Sequence, residues 1–267
     1  MRVGFVGLGS IGRPMALRLA ATAEVDLQVY DVAPAPVAEL VDAGAGAAGS
    51  VAELDADVVC VMVRDDDQVR AVAAEVAPET VLVIHSTVAP TTPAELAAAG
   101  HTVLDAPVSG GPMGAADGSL AIMVGGDDTA YALARPVLEA MGSKVVHAGP
   151  LGAGTRMKLA RNLIHFVAFT AVTEAQRLAE AAGLDLLALG DVVRHTDAIT
   201  GGPGAIMHRA TADPLEPDDF WHDVFDHVRA LGEKDLSFAV ALADELGVDV
   251  PLARAALPRL GEGLGVR

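Results

Sequence analysis

The chain opens with a short apolar run, Val3-Gly4-Phe5-Val6, that passes directly into Gly7-Leu8-Gly9-Ser10-Ile11-Gly12. No other feature restricts the fold as tightly. A strand followed at once by three glycines at this spacing needs a turn at Gly7, bare backbone at Gly9 and a close helix–strand approach at Gly12. The helix that starts there leaves backbone N–H groups around Ser10 and Ile11 to meet phosphate. The run therefore predicts a dinucleotide site at the head of a βαβ unit. Asp31 follows the second predicted strand, Leu27–Tyr30, about 20 residues beyond Gly12. A carboxylate at that place accepts hydrogen bonds from the adenosine ribose and repels a 2′-phosphate. Because Val32-Ala33-Pro34 brings no Arg or Lys, NAD is expected in preference to NADP.

The rest of the first half continues the pattern. Apolar runs recur at Val58–Val63, Val81–Ile84, Val103–Leu104, Ala121–Val124 and Lys144–His147. Helical segments lie between the earlier ones, at Met15–Ala21, Val37–Ala43 and Asp67–Val76. Nearly continuous hydrophobicity suits strands covered on both faces, and strand–helix alternation predicts a parallel, doubly wound sheet. After Gly149-Pro150-Leu151-Gly152 the strand runs stop. A helix is expected from Gly154 to Ala182, with others at Asp185–Arg194 and Leu231–Leu246. The predicted fold class is thus α/β, with a Rossmann-type dinucleotide-binding domain over 1–150. An all-helical domain over 151–267 is expected to serve the substrate and oligomerisation.

Composition excludes several functions. Eighteen basic residues against 36 acidic ones give a net charge of −18, which disfavours nucleic acid and anionic membranes. One cysteine, Cys60, permits neither an intramolecular disulfide nor a Cys-rich metal site, as suits a reducing compartment. No His/Cys/acid cluster has ligand spacing, so no metal is expected. No apolar run approaches the ~20 residues that span a bilayer, and the start shows no secretory signal, so a cytoplasmic protein is expected. The acids are also unevenly placed. Between Glu139 and Glu174 there is none, while Lys144, Arg156, Lys158 and Arg161 give that window +4.

Three further segments stand out: His85-Ser86-Thr87-Val88, Asp105-Ala106-Pro107-Val108-Ser109-Gly110-Gly111, and Gly152-Ala153-Gly154 leading through Lys158 to Asn162. With the glycine-rich start and Lys234-Asp235-Leu236, they resemble the β-hydroxyacid dehydrogenase family, in order and over nearly the whole chain. That family includes 3-hydroxyisobutyrate dehydrogenase and tartronate semialdehyde reductase. The resemblance implies hydride transfer between a nicotinamide cofactor and a small 3-hydroxy acid or its semialdehyde. It implies Lys158 as general acid/base, with Asn162 one helical turn on, holding the substrate oxygen or the lysine. An ordinary lysine pKa near 10.4 suits a base poorly, so burial or nearby cations such as Arg156 and Arg161 should lower it.

Ser109, Gly110 and Gly111 would hold the substrate carboxylate through a hydroxyl and unobstructed backbone N–H groups. By resemblance Thr87 lies near the nicotinamide, Met62 and Val63 lie over the cofactor, and Lys234 closes on it from the helical half. Arg64 stands where relatives usually have proline, and Arg161 where they usually have asparagine. His165, seven residues after Lys158, shares its helix face and is either a substrate contact or a packing residue. Homodimers or homotetramers are implied, though not which. Two alternatives stay open: an imine reductase on the same scaffold, which generally lacks such a lysine, and a catalytically silent dinucleotide-binding protein.

Overall fold

The computed structural model describes residues 1–208 and 211–266. Contacts divide the chain into two compact units, Met1–Arg161 and Asn162–Arg267. In the first, β1 (Arg2–Val6), α1 (Gly12–Ala20), β2 (Asp26–Tyr30), α2 (Pro34–Asp42), β3 (Gly46–Ala47) and β4 (Val58–Val61) come in turn. They are followed by α3 (Asp66–Glu75), β5 (Val81–Ile84), α4 (Thr92–Ala98), β6 (Thr102–Asp105) and β7 (Val108–Ser109). The unit continues with α5 (Gly111–Asp117), β8 (Ala121–Gly125), α6 (Asp128–Met141) and β9 (Lys144–Gly149). The nine strands form one sheet, ordered β3-β2-β1-β4-β5-β6-β8-β7, with β9 on β8.

Strands β1 to β6 pair in parallel, as expected, but β8 pairs antiparallel with both β6 and β7. The sheet is therefore mixed, which corrects the all-parallel expectation. The cause is connection length. Only the seven-residue helix α5 and a turn at Gly118 separate β7 from β8, and a parallel return needs a crossover of a dozen residues or more. The 14-residue helix α6 is long enough, and β9 runs parallel to β8.

Side chains alternate across the sheet. Val3, Phe5, Val58, Cys60, Val81 and Val83 enter one core cluster, while Val6, Val59, Val61, Leu82 and Ile84 enter the other. Both faces are covered, which is why these strands read as unbroken apolar runs. Cys60 is completely buried, and that burial pushes its thiol up to about 12. Register then places the motifs. Val6 pairs with Tyr30 and with Val61, so Gly7, Asp31 and Met62 leave the sheet side by side at its carboxyl edge. Ile84 pairs with Asp105, setting His85 and Ala106 on the same edge.

Helix α7 (Ala153–Ala181) carries the chain into the second unit, where α8 (Leu186–Thr200), α9 (Phe220–Leu246), α10 (Pro251–Ala256) and α11 (Leu260–Leu264) follow. Among the described residues no strand follows Gly149. Inside this unit Glu174 is buried and accepts backbone N–H bonds from Leu252 (2.8 Å) and Ala253 (3.1 Å), capping α10. No helix among the described residues is long and apolar enough to cross a membrane.

Candidate active site

The first unit holds a cleft of about 570 Å³ along the carboxyl edge of the sheet. Gly7, Gly9, Ser10, Ile11, Gly12, Asp31, Met62 and Val63 all line it, together with Tyr30, Val32 and the α3 residues Gln68, Val72 and Glu75. Two of the glycines are obligatory. Gly7 has φ +93°, and a Cβ there would fall 2.2 Å from the Met62 carbonyl oxygen. A Cβ on Gly12 would fall 2.0 Å from the Gly7 carbonyl oxygen, so the helix touches the turn only because the side chain is missing. Over Gly9, by contrast, nothing lies within 4 Å of the place a Cβ would take.

Helix α1 follows its N-cap residue Ile11 without a side-chain cap and without an acid in its first turn. The opening turn thus presents donors and a positive dipole end to open space, and it fits a diphosphate. Asp31 lines the same cleft beside the turn. Its Oδ2 accepts from the Leu8 N–H (2.6 Å) and its Oδ1 from the Ala33 N–H (2.8 Å). The carboxylate thereby shapes the turn as well as facing the cleft, a duty the spacing did not disclose. Each oxygen retains acceptor capacity for a ribose hydroxyl.

The Ser-Thr pair divides its work. The buried Ser86 hydroxyl donates to the Val63 carbonyl (2.7 Å) and accepts from the Val63 N–H (2.9 Å), clamping the segment that lines the cleft. Thr87 is exposed and is not part of that lining. His85 is buried, donates from Nδ1 to the Ala106 carbonyl (2.9 Å) and stacks on Phe5. Burial drops its pKa to about 4, so the ring is neutral near pH 7.

Lys158 and Ser109 meet, although 49 residues separate them in sequence. The lysine is only 8% exposed, and Nζ donates to the Val108 carbonyl (2.6 Å) and to Ser109 Oγ (2.8 Å). Burial holds its pKa below that of a free lysine, and the charge of Arg161 lowers it further. Arg161 is thus the cation that acts on Lys158, and Arg156 is not among the causes. Gly110 and Gly111, with φ +135° and +64°, carry the backbone away from Ser109 in a conformation other residues resist.

One residue without a role in the sequence reading holds this arrangement. Asp105 is fully buried, and its Oδ1 accepts from the Gly152 N–H (2.7 Å) while Oδ2 accepts from the Thr155 N–H (2.6 Å). The last residue of β6 therefore fixes the start of α7, one turn before Lys158. The DAPVSGG run contains this aspartate, but its partners lie 47 and 50 residues away.

Other expected residues fall in the second unit. Asn162 follows Lys158 by one turn of α7. His165 packs on Phe166 and Phe169, with its ring 4.2 Å from that of Phe169. Lys234 is exposed and pairs with Asp235 at 3.1 Å. Trp221, to which the sequence assigns no role, stacks on His208 and Phe225. No group of three or more His, Cys, Asp or Glu among the described residues could hold a metal.

The chain is similar to known proteins over nearly its whole length. A family described as the NAD binding domain of 6-phosphogluconate dehydrogenase matches residues 2–149. One described as NAD-binding of NADP-dependent 3-hydroxyisobutyrate dehydrogenase matches residues 152–260. An uncharacterised oxidoreductase of Mycobacterium tuberculosis is 50% identical, covering 99% of this chain and 94% of its own. The NAD-dependent L-serine dehydrogenase of Pseudomonas aeruginosa is 37% identical over 95% of this chain and 86% of its own. A crystal structure from Mycobacterium avium 104, provisionally named an oxidoreductase, is 51% identical with a TM-score of 0.95, covering 99% and 98% of the two chains. An imine reductase of a Pseudomonas species, 20% identical with a TM-score of 0.75 over 99% and 96%, shares the fold.

Proposed function

The chain belongs to the 3-hydroxyisobutyrate dehydrogenase-like β-hydroxyacid dehydrogenase family, an NAD(P)-dependent oxidoreductase family, and on that premise we propose that it oxidises a small 3-hydroxy acid or reduces the corresponding semialdehyde, with NAD as the preferred cofactor. Residues 1–150 are assigned to the dinucleotide and 151–267 to substrate and oligomerisation, in a cytoplasmic enzyme. The observation that carries the reading is the buried Lys158 against Ser109, in the unit that holds the nucleotide cleft. When bound, the dinucleotide would supply hydride acceptance or donation.

The protein's own part is proton transfer and positioning. A neutral Lys158 amine donates two hydrogen bonds, to Val108 and Ser109, and keeps a lone pair for the hydroxyl proton during oxidation. Protonated, it returns that proton to the carbonyl oxygen during reduction. The Ser109–Gly111 segment is proposed to receive the substrate carboxylate, Asn162 to steady the reacting oxygen, and Thr87 and Lys234 to meet the cofactor. Retention of the lysine favours this reading over an imine reductase or a silent binding protein. The test is a panel of small hydroxy acids, L-serine and 3-hydroxyisobutyrate included, with NAD and NADP separately, followed by reduced-cofactor absorbance. Turnover of 3-hydroxy acids, faster with NAD, is expected; dinucleotide binding without any turnover would remove the assignment.

Asp31 is proposed to set the cofactor preference, and it can be tested separately. Asp31→Ser combined with Val32→Arg removes the carboxylate and adds a cation beside it. We expect the NAD/NADP ratio of kcat/KM to fall by about 10- to 100-fold. A serine hydroxyl cannot reproduce both carboxylate bonds, to Leu8 and to Ala33, so a lower Tm should accompany the change.

A homodimer or homotetramer is proposed on physical grounds as well as by family. From Asn162 to Thr173 helix α7 carries no charge, yet none of these residues is buried in the single chain. Phe166 and Phe169 are more than half exposed, and α8 buries no residue. Apolar surface on this scale is covered in a stable protein, here by a second copy. Light scattering should return two or four times the 27.1 kDa chain mass.

A further inference from the structure

The nucleotide cleft has a charge problem. Its described lining contains two carboxylates, Asp31 and Glu75, in a chain of net charge −18. Against them stands one basic side chain, Arg64. Its guanidinium is 82% exposed and meets Asp65 through Nε at 3.1 Å. Asp65 also caps α3, where its Oδ1 accepts from the Gln68 N–H (3.0 Å). The Arg64 backbone is held in turn, its N–H donating to Gln68 Oε1 at 2.9 Å. A fixed backbone, an occupied Nε and two terminal nitrogens unengaged among the described residues describe a cation held ready for a ligand. Arg70 differs, since its terminal nitrogens are spent on Asp67 and Glu95, and Arg13, whose Nη1 is held by Glu39, is not part of the lining.

We propose that Arg64 is the side chain that grips the diphosphate of the dinucleotide; the inference rests on the dinucleotide-binding assignment of the cleft. Strand order decides between the diphosphate and a 2′-phosphate. Asp31 follows β2 and Arg64 follows β4, with β1 and its glycine turn between them. At ~4.8 Å per strand spacing Asp31 and its counterpart after β4, Met62, start roughly 10 Å apart on opposite sides of the turn, and Arg64 lies two residues further on. Asp31, the proposed ribose acceptor, closes the turn on the β2 side through the Leu8 N–H, and Met62 and Val63, packed on Gly7, close it on the β4 side that leads to Arg64. A guanidinium there forms charge-assisted bonds to the same diphosphate oxygens that face the neutral N–H groups of α1.

Calorimetry on wild type, Arg64→Gln and Arg64→Lys, at low and physiological salt, tests this with four probes. ADP-ribose has the diphosphate but no 2′-phosphate, and 2′-AMP has the reverse; NADH and NADPH are the full cofactors. In Arg64→Gln the Kd for ADP-ribose, NADH and NADPH should rise by a common factor of about ten. The Kd for 2′-AMP should stay unchanged, the salt dependence should flatten, and Arg64→Lys should recover part of the loss. An unchanged Kd for ADP-ribose in a variant with wild-type Tm overturns the proposal. So does a loss confined to NADPH and 2′-AMP, which moves Arg64 to the 2′-phosphate. Failure of wild type to bind ADP-ribose overturns the cleft assignment itself, and the proposal with it.

Discussion

Lys158→Ala should lower kcat by about 10³-fold while the Kd for NADH stays within about twofold of wild type. The separation follows from placement. Lys158 Nζ engages Val108 and Ser109, whereas the nucleotide cleft is lined by other residues. The pH profile gives a second readout. Oxidation needs the neutral amine, so its rate should rise with pH and level off beyond the Lys158 pKa. Burial and Arg161 lower that pKa, and the plateau arrives at a lower pH than a free lysine would allow. Reduction needs the ammonium form and should fall over the same interval. Both limbs should vanish in Lys158→Ala. A variant with near-normal kcat, or an unaltered pH limb, removes Lys158 from the chemistry.

The second large effect is expected from Asp105→Ala, a substitution remote from solvent. The carboxylate holds two buried backbone N–H groups at the start of α7, and its negative charge suits that end of the helix. Removing it leaves both donors bare at a cost of about 3 kcal/mol, so the first unit should melt roughly 6–12 °C lower. Because the same turn leads into Lys158, kcat should drop together with Tm. Asp105→Asn keeps an acceptor and should lose less of each. An unchanged Tm in Asp105→Ala would show that the capping bonds contribute nothing.

These two residues also mark how far the sequence could be read. Lys158 was legible through the family resemblance of its surrounding pattern, and helix spacing added only that Asn162 lies one turn on. The glycine turn and Asp31 were legible because strand ends in a parallel sheet line up. Asp105 was not, because a buried carboxylate acquires its meaning from Gly152 and Thr155, and nothing in a linear pattern links positions so far apart. Strands β3 and β7 escaped notice too: two paired residues, Gly46–Ala47 or Val108–Ser109, carry no periodicity. The reversal of β8 was hidden in the length of α5. Ser86 and Thr87 looked like one element, yet one is buried in a clamp and the other exposed.

The scarcity of aromatic residues has a practical consequence. The single tryptophan, Trp221, lies in the second unit, stacked on Phe225, and both tyrosines, Tyr30 and Tyr131, lie in the first. Each half of the molecule therefore carries its own optical signature without any label. Excitation near the red edge of absorption reports the helical half alone, and tyrosine emission reports the nucleotide half. Unfolding followed in both channels will tell whether the two halves melt as one cooperative body or in sequence.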